Sequence, residues 1–183
     1  MADLEFLKVY WKQYVLLEKR MLDLSDYVAI HPKNYAVFSS HFISMYLTIC
    51  SEIDSIADEF CKELNITEKE RFGIHNKINH IVSKYSNLKS WRCATKFPNE
   101  GINIVPFAKF IDNESADWWK VYNNIKHKRT ERNGEQYNYE LANLKNILHA
   151  LAALYMLLYK MQKEFYPDCA YACKSDLFEI VIV

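Results

Sequence analysis

The sequence predicts an all-α protein, an up-and-down helical bundle of about five helices with an irregular excursion before the fourth. Three observations carry this. Glycine (3) and proline (4) are scarce in 183 residues; the ordinary combined share is about 12%. So few breakers cannot serve the many tight turns of an all-β chain. Apolar residues recur at spacings of three and four almost throughout, the signature of one helix face. Half the residues are apolar, with 13 Tyr and 10 Phe, enough to fill the core of one domain of this length.

The elements follow in order. Leu4, Leu7, Tyr10, Trp11, Tyr14, Leu17 and Met21 mark the core stripe of a first helix, which Asp3 can cap. His31-Pro32 ends that pattern, because proline lacks a donor and pushes its neighbour out of the helical region. A second helix is expected over 34–64, with Phe38, Phe42, Met45, Ile49, Ile53, Ile56 and Phe60 inward. Thr67 and Glu70 have the spacing of a capping box and start a third helix, with Phe72, Ile78, Ile81, Val82 and Tyr85 apolar and Gly73 in its first turns. Ser86 to Asp112 holds Pro98, Gly101 and Pro106 and no sustained period. Its Trp91, Phe97, Ile102, Ile104, Val105, Phe107 and Phe110 are too apolar for a free linker. An ordered excursion is expected, with a short strand at Ile102–Val105; so long a connection is often functional. A fourth helix runs from Asp112–Ser115 to about His127, a polar loop covers Lys128 to Gln136, and a fifth helix covers 138–165. Residues 1–165 read as one domain. Residues 166–183 read as a tail whose β-prone end, Leu177 to Val183, packs on the body or pairs with a partner strand.

Lys+Arg equals Asp+Glu at 23 each, which disfavours a chain-wide nucleic-acid coat and leaves room for local patches. The N-terminus has no basic-then-apolar leader, and no apolar run reaches membrane-spanning length, so no membrane role is expected. Five cysteines in such a chain point to reduced thiols and a cytoplasmic location. Cys169 and Cys173 come closest to a ligand spacing, and without companions neither a metal nor another cofactor is expected.

The segment Trp118 to Arg129 carries the chemistry. On a helix, Trp118, Val121, Tyr122 and Ile125 share the core side; Asn123, His127 and Lys120 share the opposite one, flanked by Lys126 and Trp119. An amide, an imidazole and amines thus converge near a helix C-terminus, where the dipole favours positive charge. From Lys120 to Arg132, five cations (Lys120, Lys126, Lys128, Arg129, Arg132) face Glu131 alone, a patch suited to phosphate.

This arrangement, followed by a polar loop and a long apolar helix, resembles the HEPN superfamily of small helical bundles. Members commonly carry Arg, a polar residue, three further residues and His, late in a helix. Here Asn123 takes the polar position and His127 the His position, while Tyr122 stands where the family has Arg. The resemblance covers about residues 112–160. It implies metal-independent RNA cleavage in a defence or toxin–antitoxin setting. His127 would be the acid or base, Asn123 an orienting group, and Lys126 or Arg129 the charge on the phosphorane. Lys120, Arg129 and Arg132 would bind substrate. Homodimerisation along the exposed edge of the fourth and fifth helices is also implied.

Plainer readings compete. His127 can be a favourable charge at a helix end, and Trp118-Trp119 a core anchor with its loop cover. Glu52, Asp54 and Asp58 can be a salt-bridged surface rather than an acidic counterpart to the patch. His75 and His80 are five apart and do not share a face; His149 reads as a satisfied core histidine. The second functional reading is therefore a non-catalytic interaction module that docks a protein partner or nucleotide.

Overall fold

The structure is a computed structural model that describes residues 3–96, 98–99, 101–110, 115–169 and 172–182. The side chain of Asp3, and Phe97, Asp112 and Val183, used above, lie outside what is described.

Five α-helices stand among the described residues. Helix α1 spans 3–25 and includes a π-helical stretch, Leu7–Trp11. Helix α2 is Ser40–Glu63, α3 is Ile74–Lys84, α4 is Asp117–Lys128 and α5 is Leu144–Phe165. The Ser39 hydroxyl caps α2 by accepting from the Phe42 amide at 3.1 Å, and the Asn143 side chain caps α5 through the Asn146 amide at 3.1 Å. Both helices therefore start later than the apolar pattern alone suggests. Short 3₁₀ turns, Pro32–Asn34 and Asn138–Leu141, precede them.

The all-α expectation is corrected by two small antiparallel sheets among the described residues. Strands β1 (Arg92–Thr95) and β2 (Asn103–Ile104) lie in the excursion, β3 (Arg132–Asn133) and β4 (Gln136–Tyr137) follow α4, and β5 (Phe178–Val181) lies in the tail. The first sheet has the order β2-β1-β5, with Cys93 opposite both Ile104 and Ile180. Alternation is visible in β1, where Arg92 is exposed and Cys93 buried. At four residues it is too short to be distinguished from a helix turn by period. Strands β3 and β4 make a hairpin around Gly134-Glu135, where the positive φ of Gly134 (64°) suits a two-residue turn.

Two helix starts are also corrected. The Thr67–Glu70 box does form: the Thr67 amide donates to Glu70 Oε2 at 3.1 Å. It closes a turn rather than a helix, because Gly73 adopts φ 80° and α3 begins only at Ile74. Tyr14, Leu17 and Met21 of α1 are buried as expected, but at its start the core residue is Phe6, stacked on Tyr166 at 5.0 Å, while Leu4 is exposed. The π stretch widens the turn and moves Phe6 onto the face that a regular helix would give to Leu7.

The core is one cluster built mainly where α2 packs along α5, with α1, α3 and α4 around them. Phe42, Met45, Ile49, Ile53, Ile56 and Phe60 are all buried, and Phe38 is not. Every residue from Ala150 to Leu158 is buried, so α5 is enclosed and supplies no exposed edge for dimerisation over that stretch. Among the described residues no helix is long and apolar enough to cross a membrane.

Candidate functional site

Helix α4 is held at both ends. Trp118, Tyr122 and Ile125 are buried, and the Trp118 indole donates to the Pro106 carbonyl at 2.9 Å. The Tyr46 hydroxyl donates to the Trp118 carbonyl. At the C-terminal end the Asn138 amide donates to the Lys128 carbonyl at 2.8 Å, and the Tyr139 backbone N–H donates to the Arg129 carbonyl at 3.2 Å. These bonds satisfy carbonyls that a helix end leaves open. They fix the last turn, which carries Lys126, His127 and Lys128.

That turn forms one wall of a cleft of about 880 Å³. Asn123, Lys126 and His127 line it, all three exposed, above Trp119 and Tyr122. Trp119 is buried rather than flanking the polar face; its ring lies 4.8 Å from that of Tyr122. The Lys126 ammonium sits 5.6 Å from the centre of the Tyr122 ring, within cation–π range. Tyr122 is only 7% exposed, so the residue just before Asn123 makes an aromatic floor.

The other wall comes from α2 and the chain entering α3. Asp58 pairs with Arg71 at 2.9 Å and with Lys62 at 3.0 Å, and Asp54 pairs with Lys77 at 2.8 Å. Burial pushes the Asp58 carboxyl up, but Lys62, Arg71 and Lys77 outweigh it and hold it below the ordinary aspartate value. Asp54 and Asp58 face the cleft that the α4 patch lines, yet their cations are Lys62, Arg71 and Lys77 rather than the lysines of α4. Glu52 is not in the lining; burial raises its carboxyl.

Of the six expected site residues, the cleft collects Asn123, Lys126 and His127. Lys120, Arg129 and Arg132 are exposed but are not in its lining. Arg132 belongs to β3 and lies over the Tyr137 ring at 4.7 Å. Phe72 and His75 also line the cleft; by sequence Phe72 belongs to the apolar face of the third helix and His75 is weighed only with His80, so neither is among the expected site residues. His75 Nε2 lies 2.8 Å from the Asn79 amide, and its Nδ1 is buried without a hydrogen-bond partner among the described residues. Thr67–Glu70 followed by Phe72-Gly73 was the available signal: a closed turn, an aromatic and a glycine between two helices. His149 is half-buried with Nδ1 2.8 Å from the Lys145 carbonyl, and burial lowers its pKa. Among the described residues no group of three or more His, Cys, Asp or Glu side chains could hold a metal ion. No family model matches the chain, and no curated protein or solved structure matches it either.

Proposed function

We propose that the chain is a HEPN-like protein that binds RNA in the cleft beside α4 and cleaves it without a metal ion. The observation that carries this reading is that Asn123, Lys126 and His127 line one cleft with their polar ends exposed. His127 removes the proton from a ribose 2′-hydroxyl. The oxygen attacks the adjacent phosphorus, the bond to the 5′-oxygen breaks, and that oxygen leaves with a proton from solvent or a protonated side chain. The product is a 2′,3′-cyclic phosphate. Lys126 offsets the phosphorane charge, and Asn123 orients the imidazole or the phosphate. Lys120, Arg129 and Arg132 lie outside the cleft and extend the basic surface for flanking phosphates. On this reading the helices are an up-and-down bundle carrying two added sheets, and the protein acts in the cytoplasm in a defence or toxin–antitoxin setting.

A second reading draws on Tyr122. A buried tyrosine in place of the family's Arg suits a non-catalytic module that docks a nucleotide or protein partner through the basic patch.

The test is incubation of wild type and His127→Ala with structured and unstructured RNA in EDTA. The nuclease reading expects cyclic-phosphate ends from wild type and a rate at least about 100-fold lower in the variant. RNA that is bound but equally intact with both proteins favours the second reading. RNA neither bound nor cut by wild type ends the nuclease reading.

A further inference from the structure

Resting on the RNA reading above, we infer that Phe72 is a base-stacking residue and that the cleft takes an unpaired nucleotide of single-stranded RNA. The ring is 83% exposed, which is unusual for phenylalanine, and it stands in the lining of the same cleft as Lys126 and His127.

Its backbone is tied down, so the exposure is built in. The carbonyl of Phe72 accepts from the Asn76 side-chain amide at 2.8 Å. The preceding residue, Arg71, donates to Asp58 and to the Ile66 carbonyl at 2.9 Å each, and its amide donates to the Thr67 carbonyl at 3.1 Å. Gly73 then turns the chain into α3 at φ 80°, a conformation that side chains rarely adopt. A ring presented on a fixed backbone loses little freedom on binding.

The surroundings select a nucleobase over an apolar protein side chain. The same wall of the cleft carries Glu68, Arg71, His75 and Lys77, with Lys126 and His127 on the other wall. An exposed flat ring beside charges matches one base face beside one phosphate, the combination used on single strands. A duplex keeps its bases stacked inside and offers no free face to such a ring.

The test measures anisotropy of a labelled 2′-O-methyl oligouridylate, which lacks the attacking hydroxyl, and of a duplex of equal length. Wild type is compared with Phe72→Ala, Phe72→Leu and Phe72→Trp, all first shown to melt like wild type. Expected are preference for the single strand, a loss of about 5- to 100-fold in both Ala and Leu variants, and retention in Trp. Quenching of the added indole by bound oligonucleotide is also expected. If wild type binds and the Ala and Leu variants bind equally well, base stacking is overturned while the RNA reading stands. Should wild type bind neither strand form, the RNA reading falls and takes this inference with it. A Phe72→Ala variant that changes self-association in sedimentation, with RNA affinity unchanged, assigns the ring to contact between copies and overturns the proposal.

Discussion

Two polar sites in this molecule use carboxylates in opposite ways. At the tail, Glu18 is 3% exposed, and its carboxylate accepts from the hydroxyls of Tyr14 (2.7 Å) and Ser175 and from the amides of Asp176 (3.0 Å) and Leu177 (3.1 Å). The Ser175 oxygen in turn accepts from the Phe178 amide at 2.7 Å. Burial, with Glu18 adding to it, pushes the Tyr14 phenol well up, so its hydroxyl remains a donor. At the cleft, Asp54 and Asp58 are partly exposed and balanced by Lys62, Arg71 and Lys77. The difference lies in what remains. The donors around Glu18 are all directed at groups of the chain itself, which stitches the tail to α1. The cleft leaves the amide of Asn123, the ammonium of Lys126 and the imidazole of His127 exposed to a ligand. A closed polar set serves the fold; a set with groups left over can serve chemistry.

That contrast can be broken by stability measurements, the largest effect first. Glu18→Ala leaves several buried donors without an acceptor, at about 1–3 kcal/mol each. A loss of about 3 kcal/mol or more in urea unfolding is expected, with faster amide exchange in β5; a loss below about 1 kcal/mol would contradict the closed-set account. Asp58→Asn weakens two charge-assisted contacts at a partly exposed site, and about 1–2 kcal/mol is expected in the same assay.

Acid titration sharpens the second prediction. The Asp58 carboxyl is lowered in the folded state, so the folded protein holds that proton less tightly than the unfolded chain. Its contribution is present above the unfolded value of about 3.9 and is lost as pH falls through the lower folded value. The stability gap between wild type and Asp58→Asn should therefore close between about pH 5 and pH 2. The smallest stability effects are expected at the other wall. Asn123→Ala and Lys126→Ala should each change unfolding free energy by less than about 0.5 kcal/mol, while both weaken RNA binding or cleavage. An appreciable loss of stability at either position would mean that these side chains serve the fold as Glu18 does.

Much of α2 and α4 was readable because burial along a helix repeats every three or four residues. Ile49, Ile53 and Ile56 announce one face without reference to any partner, and so do Tyr122 and Ile125 against Asn123 and Lys126. Phe6 was missed because a π turn shifts the phase of the stripe by one residue. Trp119 was placed on the flank because a helix wheel shows only the faces of one helix and not what the rest of the chain packs against them; it is buried. Phe72 reads as part of the third helix's apolar face, because an apolar residue after a capping box is, by pattern alone, a core residue; the helix begins only at Ile74 and leaves the ring exposed.

The sequence by itself determined where most of each helix runs, most of the inward residues, and the stretch of chain where amide, imidazole and amines meet. These follow from local geometry, since neighbours three and four apart share a face whatever else the chain does. Only the tertiary structure decided that the tail strand pairs with Arg92–Thr95, that Glu18 receives the turn at 175–177, and that Asp54, Asp58, Arg71 and Phe72 form the wall facing α4. Those contacts join segments tens of residues apart. Their formation depends on the packing of the whole core, which no short window of sequence contains.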